Sequence, residues 1–163
     1  MSEFASTIKE TLLTRFPYAS YELDDYQEHN YFLSVGNVHD VIEWLQGEGF
    51  NFLTDLTASH YPDKEGAQFQ VVYHIHHLSQ NLRLRLKVDL AEDNMDIPTI
   101  TDLYAAANWM ERETFDFFGI QFVGHPNLTR ILNVDDMDYH PMLKAYALED
   151  ETRTDKDDTF FGR

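Results

Sequence analysis

The segment 82–90 carries a leucine or valine at every second position. Basic side chains, Arg83, Arg85 and Lys87, lie between these apolar positions. This period of two predicts a strand that buries one face and carries positive charge on the other. A second predicted strand, over 69–78, ends only three residues earlier, and so short a connection favours an antiparallel hairpin. We therefore expect the fold to be built around a sheet.

Other periodic segments predict helices before and after this hairpin in the sequence. In chain order we expect a helix over 4–16, a strand over 31–35, a helix over 38–47 with Asn37 as its N-cap, a strand over 50–60, the hairpin, and a helix that begins between 101 and 106. We expect an acidic loop or ragged strand over 22–30 and an acidic loop over 91–98. This order is typical of an α+β fold, in which helices pack as a second layer on a small mixed or antiparallel sheet.

The last part of the chain differs in composition from the rest. We expect a folded α+β domain over 1–132, followed by an extended acidic C-terminal segment over 133–163. After Leu148 the only large apolar side chains are Phe160 and Phe161. This pattern fits either a disordered acidic tail or a tail that lies along a partner and is anchored by the two phenylalanines.

The predicted helix after residue 101 combines an apolar stripe with a dense polar cluster. On a helical wheel the apolar stripe, which should face the core, consists of Leu103, Ala106, Ala107, Met110, Phe117 and Phe118. Arg112 and Asp116 lie one turn apart on the opposite side, with Trp109 and Glu113 beside them. This cluster indicates either a solvated charged face or a polar contact with another chain, where arginine makes forked hydrogen bonds. Gly119 is expected to end the helix.

Charge and cysteine content exclude several classes of partner and cofactor. The formal net charge of −17 opposes binding to nucleic acid and to anionic membrane surfaces, so neutral or basic protein surfaces are the expected partners. No apolar run approaches the ~20 residues that a membrane-spanning helix needs. The chain contains no cysteine, which removes the usual ligands of iron–sulfur clusters and of many zinc sites.

Two clusters could support chemistry of their own. His74 and His76 share one face of a predicted strand, a spacing that can bind a metal ion but that also occurs in structural histidines. Glu111, Glu113 and Asp116 could supply a general acid and base. We expect Arg112 to keep these carboxylates ionised, and no nucleophile lies beside them in the sequence.

The residues from Asn108 to Leu132 read Asn-Trp-x-Glu-Arg-Glu-x-x-Asp-x-x-Gly-Ile-x-Phe-x-Gly-His-Pro-x-Leu-x-Arg-Ile-Leu. This order resembles the signature of the C subunit family of respiratory complex I, the NADH:quinone oxidoreductase. A weaker likeness extends from about Gly49 to Tyr146. The chain departs from the family pattern at Thr129, where a basic residue is usual. It also departs within 140–146, where the family usually reads His-Pro-Leu-Arg-Lys-Asp-Tyr.

The resemblance implies a structural, non-catalytic subunit of the hydrophilic arm, peripheral to a bacterial cell membrane on its cytoplasmic side. Such a subunit packs against the hydrogenase-like subunit that helps form the quinone site. It carries no cofactor, while FMN and iron–sulfur clusters are expected in partner subunits. The residues expected to form or support the contact between subunits are Trp109, Glu111, Arg112, Glu113, Asp116, His125 and Arg130, together with Phe160 and Phe161 at the end of the chain.

Two alternatives remain open from the sequence. The chain could be the equivalent subunit of a related membrane-bound hydrogenase or of another quinone-reducing complex, since nothing in the sequence identifies the electron donor. It could also be a free-standing enzyme that uses the histidine cluster around His74 to bind a metal ion.

Overall fold

The computed structural model describes residues 3–146. In chain order the elements are α1 (Glu3–Arg15), β1 (Ser20–Leu23), β2 (His29–Leu33), α2 (Val38–Gly47), β3 (Phe52–His60), β4 (Phe69–His77), β5 (Leu82–Leu90), β6 (Asp96–Pro98), α3 (Ala107–Phe118) and β7 (Gln121–Val123). Among these residues no helix is long and apolar enough to cross a membrane. Phe160 and Phe161 lie outside the described residues.

Five strands form a mixed sheet in the order β1-β2-β5-β4-β3. The predicted hairpin is confirmed, because β4 and β5 pair antiparallel over their full length with Val71 opposite Val88. Asn81 closes the connection in the left-handed conformation, with φ of 48°. The pairing of β2 with β5 is parallel, and all other pairings in this sheet are antiparallel. β6 and β7 form a separate parallel pair.

One continuous cluster of buried apolar side chains joins the helices to the sheet. α1 contributes Ile8 and Leu12, and α2 contributes Val41, Ile42 and Leu45, all at helical spacing. Every second residue of β4 and β5 faces the same core. Each fully buried side chain of this size stabilises the fold by roughly 1.5–3 kcal/mol. The predicted two-layer α+β architecture is therefore confirmed.

The basic side chains of β5 are paired within the chain. Arg83 forms a salt bridge with Glu28. Arg85 forms one with Asp24 at 3.3 Å and also donates to the Nε2 atom of His74 at 2.9 Å. Local acids and a histidine therefore satisfy both arginines on this face of the sheet.

Some local predictions hold only in part, and others are wrong. The region 22–30, predicted as a loop or ragged strand, contains the end of β1 and the start of β2 with a loop between them. The loop predicted over 91–98 is wrong at its end, which forms β6. Asn37 is the N-cap residue of α2, as predicted, but its side chain makes no capping hydrogen bond, since its backbone belongs to the 3₁₀ turn that leads into the helix. The last helix begins at Ala107, one residue beyond the expected window, after turns over 101–106.

Candidate functional site

The face of α3 that points into the protein is partly polar. Its buried stripe consists of Ala107, Glu111, Thr114 and Phe118, and Asp116 is buried beside it. The predicted apolar stripe is therefore wrong as a set, although Ala107 and Phe118 belong to both. Leu103 precedes the helix, Ala106 is exposed, and Met110 and Phe117 are only half-buried. The buried stripe differs from the predicted one because the carboxylates of Glu111 and Asp116 accept hydrogen bonds from donors inside the protein.

Glu111 is fully buried and joins α3 to the segment after β6. Its two carboxylate oxygens accept hydrogen bonds from the Thr99 hydroxyl at 2.5 Å and from the Ile100 N–H at 2.8 Å. Burial raises the pKa of Glu111 to about 7, because the two hydrogen bonds offset only part of the lost hydration. The expectation that Arg112 keeps this carboxylate ionised is wrong, since the Arg112 guanidinium donates to the backbone of 129–130 instead.

Asp116 is also fully buried, but its surroundings favour the charged form. One carboxylate oxygen accepts from the N–H groups of Ile131, Leu132 and Asn133 at 2.8–3.1 Å. The other accepts from Arg130 Nη1 at 2.7 Å and from the Asn133 amide at 3.0 Å. Burial alone would raise the pKa of Asp116, yet these donors hold it well below its usual range.

Two arginines extend this network along the segment 125–140. Arg130 Nη2 donates to the carbonyls of Met137 and Tyr139 at 2.7 and 3.0 Å. Arg112 donates through Nε and Nη2 to the carbonyls of Thr129 and Arg130 at 3.0 and 2.8 Å. Because Arg112 contacts the backbone of Thr129, this contact does not depend on the basic side chain usual there.

Two histidines complete the network at the ends of α3. His125 donates through Nε2 to the Asn108 carbonyl at 3.1 Å, while its Nδ1 accepts from the Asn127 N–H at 3.0 Å. His140 donates through Nδ1 at 2.9 Å to the Asp116 carbonyl, one of the carbonyls at the helix C-terminus that have no partner within the helix. We call the set Arg112, Asp116, His125, Arg130 and His140 the polar clamp. It fastens the segment 125–140 to α3.

The helix ends at Gly119, as predicted, and the packing there explains the glycine. Its φ of 84° is a left-handed conformation, and its N–H donates to the Phe115 carbonyl. A Cβ at this position would lie 2.9 Å from the His140 ring. Gly119 therefore permits both the turn and the approach of the polar clamp.

The described residues that were predicted to form a contact between subunits differ in exposure, and Arg112, His125 and Arg130 are half-buried. Glu111 and Asp116 are fully buried and could act at an interface only by holding other residues in place. Trp109 is 60 % exposed, with the Arg112 guanidinium 5.4 Å from its ring centre, and Glu113 is also exposed. Their role in a contact between subunits stays a prediction.

Sequence reasoning missed three residues of this region. Asn133 and His140 support Asp116, and Thr99 supports Glu111. The His-Pro pair at 140–141 was the one available signal, because it occurs within the weaker part of the family likeness. Thr99 and Asn133 have no distinctive sequence context.

The remaining clusters have structural partners. His74 Nε2 accepts from Arg85, and its Nδ1 lies 3.8 Å from Asp55 on the neighbouring strand. On the surface of α2, His39, Asp40 and Glu43 bring possible metal-binding atoms within 4.8 Å of one another. His39 also contacts Asp102 at 2.9 Å.

The signature segment thus folds as one hydrogen-bonded unit, and sequence comparison identifies it. A protein-family model described as "Respiratory-chain NADH dehydrogenase, 30 Kd subunit" matches residues 33–152. The chain belongs to this family.

Named relatives agree with this membership. The C subunit of the NADH-quinone oxidoreductase of Ruegeria pomeroyi is 42% identical over 122 residues, which are 73% of this chain and 60% of that protein. The protein of the same name in Moorella thermoacetica is 43% identical over 109 residues, 67% of this chain and 72% of that protein. The match therefore covers less than two thirds of the Ruegeria relative.

Two solved structures share the fold of this family member. A trypsin-resistant fragment of Nqo5 superposes with a TM-score of 0.69 and 30% identity, over 76% of this chain and 98% of the fragment. A chain of the membrane-bound sulfane sulfur reductase, an archaeal respiratory membrane complex, superposes with a TM-score of 0.77 and 25% identity. That superposition covers 90% of this chain and 87% of the other.

Proposed function

We propose that this chain is a structural subunit of the hydrophilic arm of a proton-translocating NADH:quinone oxidoreductase. In this role it supports electron transfer from NADH to quinone without carrying catalytic residues. Family membership and the names of the relatives support the assignment to this complex. The observation that carries the structural role is the polar clamp, because most hydrogen bonds of its side chains go to backbone groups of other residues in the same chain.

The distribution of the signature residues supports a scaffold more than a catalytic site. Asp116 accepts five hydrogen bonds from side chains and backbone N–H groups, which leaves it little capacity to exchange protons with a substrate. Glu111 has a pKa suited to proton transfer, but it is fully buried. A general acid or base must contact its substrate. The Glu111 carboxyl group is instead hydrogen-bonded to Thr99 and Ile100, which fixes α3 to the segment after β6.

We propose that other subunits of such a complex hold its flavin and iron–sulfur clusters. The chain contains no cysteine, and cysteine thiolates are the usual ligands of these clusters. We propose that the chain packs on the hydrogenase-like subunit at the quinone site, at the membrane periphery on the cytoplasmic side. Phe160 and Phe161 would extend the contact to neighbouring subunits.

A second candidate is the equivalent subunit of a related respiratory complex. The likeness to a chain of the membrane-bound sulfane sulfur reductase favours it, because that superposition covers 90% of this chain. The two candidates differ in the electron donor of the whole complex. NADH-dependent activity of the purified complex would favour the first, and a complex that reduces its acceptor only with another donor would favour the second.

Affinity purification of the tagged chain from gently solubilised membranes tests the proposal. We expect a large complex that contains flavin and iron and reduces quinone with NADH. Arg112→Ala should lower both the yield of this complex and its activity, because Arg112 holds the backbone at 129–130. Arg15→Ala, on the exposed end of α1, is the matched control and should change neither. Recovery of the wild-type chain alone would contradict the proposal, as would wild-type assembly and activity in Arg112→Ala.

A further inference from the structure

Six large apolar side chains are exposed around the polar clamp. Trp109, Leu132 and Val134 are 60 %, 65 % and 63 % exposed. The other members of this group, which we call the apolar clamp surface, are Tyr139, Met142 and Tyr146. Scattered apolar side chains are normal on a protein surface, but a set gathered on one region indicates an interaction site.

Hydrogen bonds and ring contacts connect the segments that carry these side chains to α3 and to one another. The Trp109 ring lies against the Arg112 guanidinium, which holds the carbonyl of Arg130, two residues before Leu132. On the other side of Arg130, its Nη2 holds the carbonyl of Tyr139. Tyr139 in turn contacts the Tyr146 ring at 4.7 Å between ring centres. The Met142 N–H donates to the Phe117 carbonyl at the end of α3.

We propose that the apolar clamp surface docks a partner protein whose apolar recess is rimmed by lysine and arginine side chains. This inference rests on the proposed function, and it specifies which surface makes the contact and what chemistry the partner presents. In this proposal Leu132 and Val134 are the main anchors, since they are the most exposed members of the set.

The polar clamp holds these anchors in place before any partner binds. The buried Asp116 carboxylate accepts the N–H groups of Leu132 and of both its neighbours. The backbone that carries Leu132 is thereby fixed, although its side chain points to solvent. Binding to a surface ordered in advance avoids much of the entropic cost of association. This arrangement explains why buried polar residues lie beneath exposed apolar ones.

The acidic charge around this surface indicates which class of partner can bind there. Exposed acids lie on the segments that carry this surface, with Asp135, Asp136 and Asp138 following the anchors in the chain and Glu113 on α3 with Trp109. A second copy of this chain would bring the same acids together, and an anionic lipid surface would repel them. A basic rim around an apolar recess would complement both features, and it also suits a chain with a net charge of −17.

Site-specific photocrosslinking in cells that assemble the full complex tests the docking surface. A photoreactive amino acid replaces Val134, and the control position is Leu78, which is similarly exposed at 57 % on the turn between β4 and β5. We expect position 134, and not position 78, to crosslink to one partner subunit at an apolar segment flanked by lysine or arginine. The inference would be overturned by a crosslink to a second copy of the chain, to lipid or to residues 147–163 of the same chain. It would also be overturned if position 134 gave no more crosslinking than position 78.

A matched pair of variants separates failure of this inference from failure of the proposed function. The double variant Leu132→Asp, Val134→Asp should reduce recovery of the complex at least tenfold, whereas Leu78→Asp should leave recovery unchanged. Circular dichroism of the purified chains should show that both variants are folded. If wild type assembles and the folded double variant assembles equally well, the docking surface is wrong while the proposed function stands. If wild type itself is recovered without redox partners, the proposed function fails first.

Discussion

Protonation of Glu111 should make the stability of the purified chain depend on pH in a way that one substitution removes. The carboxyl group is fully buried between α3 and the segment after β6, where it contacts Thr99 and Ile100. Among the described residues, Tyr73 and Asp102 also interact electrostatically with it. Burial raises its pKa from 4.5 to about 7, so the folded chain binds this proton more tightly than the unfolded chain does.

The sign and the magnitude follow from this difference. Below pH 4.5 both states carry the proton, and Glu111 causes no pH dependence. Between pH 4.5 and 7 the unfolded chain loses the proton first, so the free energy of unfolding falls as the pH rises. Each tenfold change in proton affinity corresponds to about 1.4 kcal/mol, and a pKa raised from 4.5 to about 7 therefore corresponds to about 3 kcal/mol. Above pH 7 the loss is complete.

Glu111→Gln isolates this contribution from all other titrating groups. The glutamine oxygen can accept from the Ile100 N–H, and its amide can donate to the Thr99 hydroxyl oxygen, as a protonated carboxyl group would. We therefore expect the variant to resemble wild type near pH 4. As the pH rises to 8, the variant should become more stable than wild type by up to about 3 kcal/mol.

Urea unfolding followed by far-ultraviolet circular dichroism, at half-unit intervals from pH 4 to 8, measures this difference. Glu113→Gln is the control, because Glu113 is exposed on the same helix and should change the free energy of unfolding by less than about 0.5 kcal/mol at every pH. A difference between Glu111→Gln and wild type that does not vary with pH would refute the reasoning.

Three further predictions concern the polar clamp, all measured by chemical unfolding of the purified chain. Asp116→Asn should cost roughly 3–5 kcal/mol at pH 7, because its amide NH2 group would face other donors and Arg130 would lose its ion-pair partner. Folding lowers the pKa of Asp116, so the ionised carboxylate stabilises the folded chain above pH 3.8. In wild type this stabilisation should decrease as the pH falls below 3.8. Asp116→Asn should lack this pH dependence. Gly119→Ala should cost roughly 1–2 kcal/mol for the left-handed backbone, and more if the His140 ring cannot move. An Asp116→Asn chain within about 1 kcal/mol of wild type, or a neutral Gly119→Ala, would contradict the account of the clamp.

The regular parts of the fold were predictable because they follow simple periods. The alternation over 82–90 predicted β5 with its observed bounds, and helical spacing did the same for α2. β1 was not recognised because three of its four residues are exposed and give no alternation of apolar side chains. β6 and β7 contain three residues each, which is too short for a period to be detected.

The sequence predicted where the candidate site lies but not which residues contact one another there. The signature identified the correct helix and the segment after it. The helical wheel, however, placed Asp116 opposite the apolar stripe and did not include Glu111 in that stripe. A carboxylate can be buried when enough donors surround it. Here the donors of Asp116 come from 130–133, which are 14 to 17 residues further along the chain. Those of Glu111 are Thr99 and Ile100, directly after β6. Such pairings depend on tertiary structure and leave no local pattern.

Deletion of the gene tests the central claim most directly. Membranes from the deletion strain would be assayed for NADH-dependent quinone reduction and for the large complex on native gels, with and without the wild-type chain supplied in trans. If the chain is a structural subunit of NADH:quinone oxidoreductase, both signals should disappear in the deletion strain and return on complementation. Undiminished NADH:quinone activity and an intact complex in the absence of the chain would contradict the account.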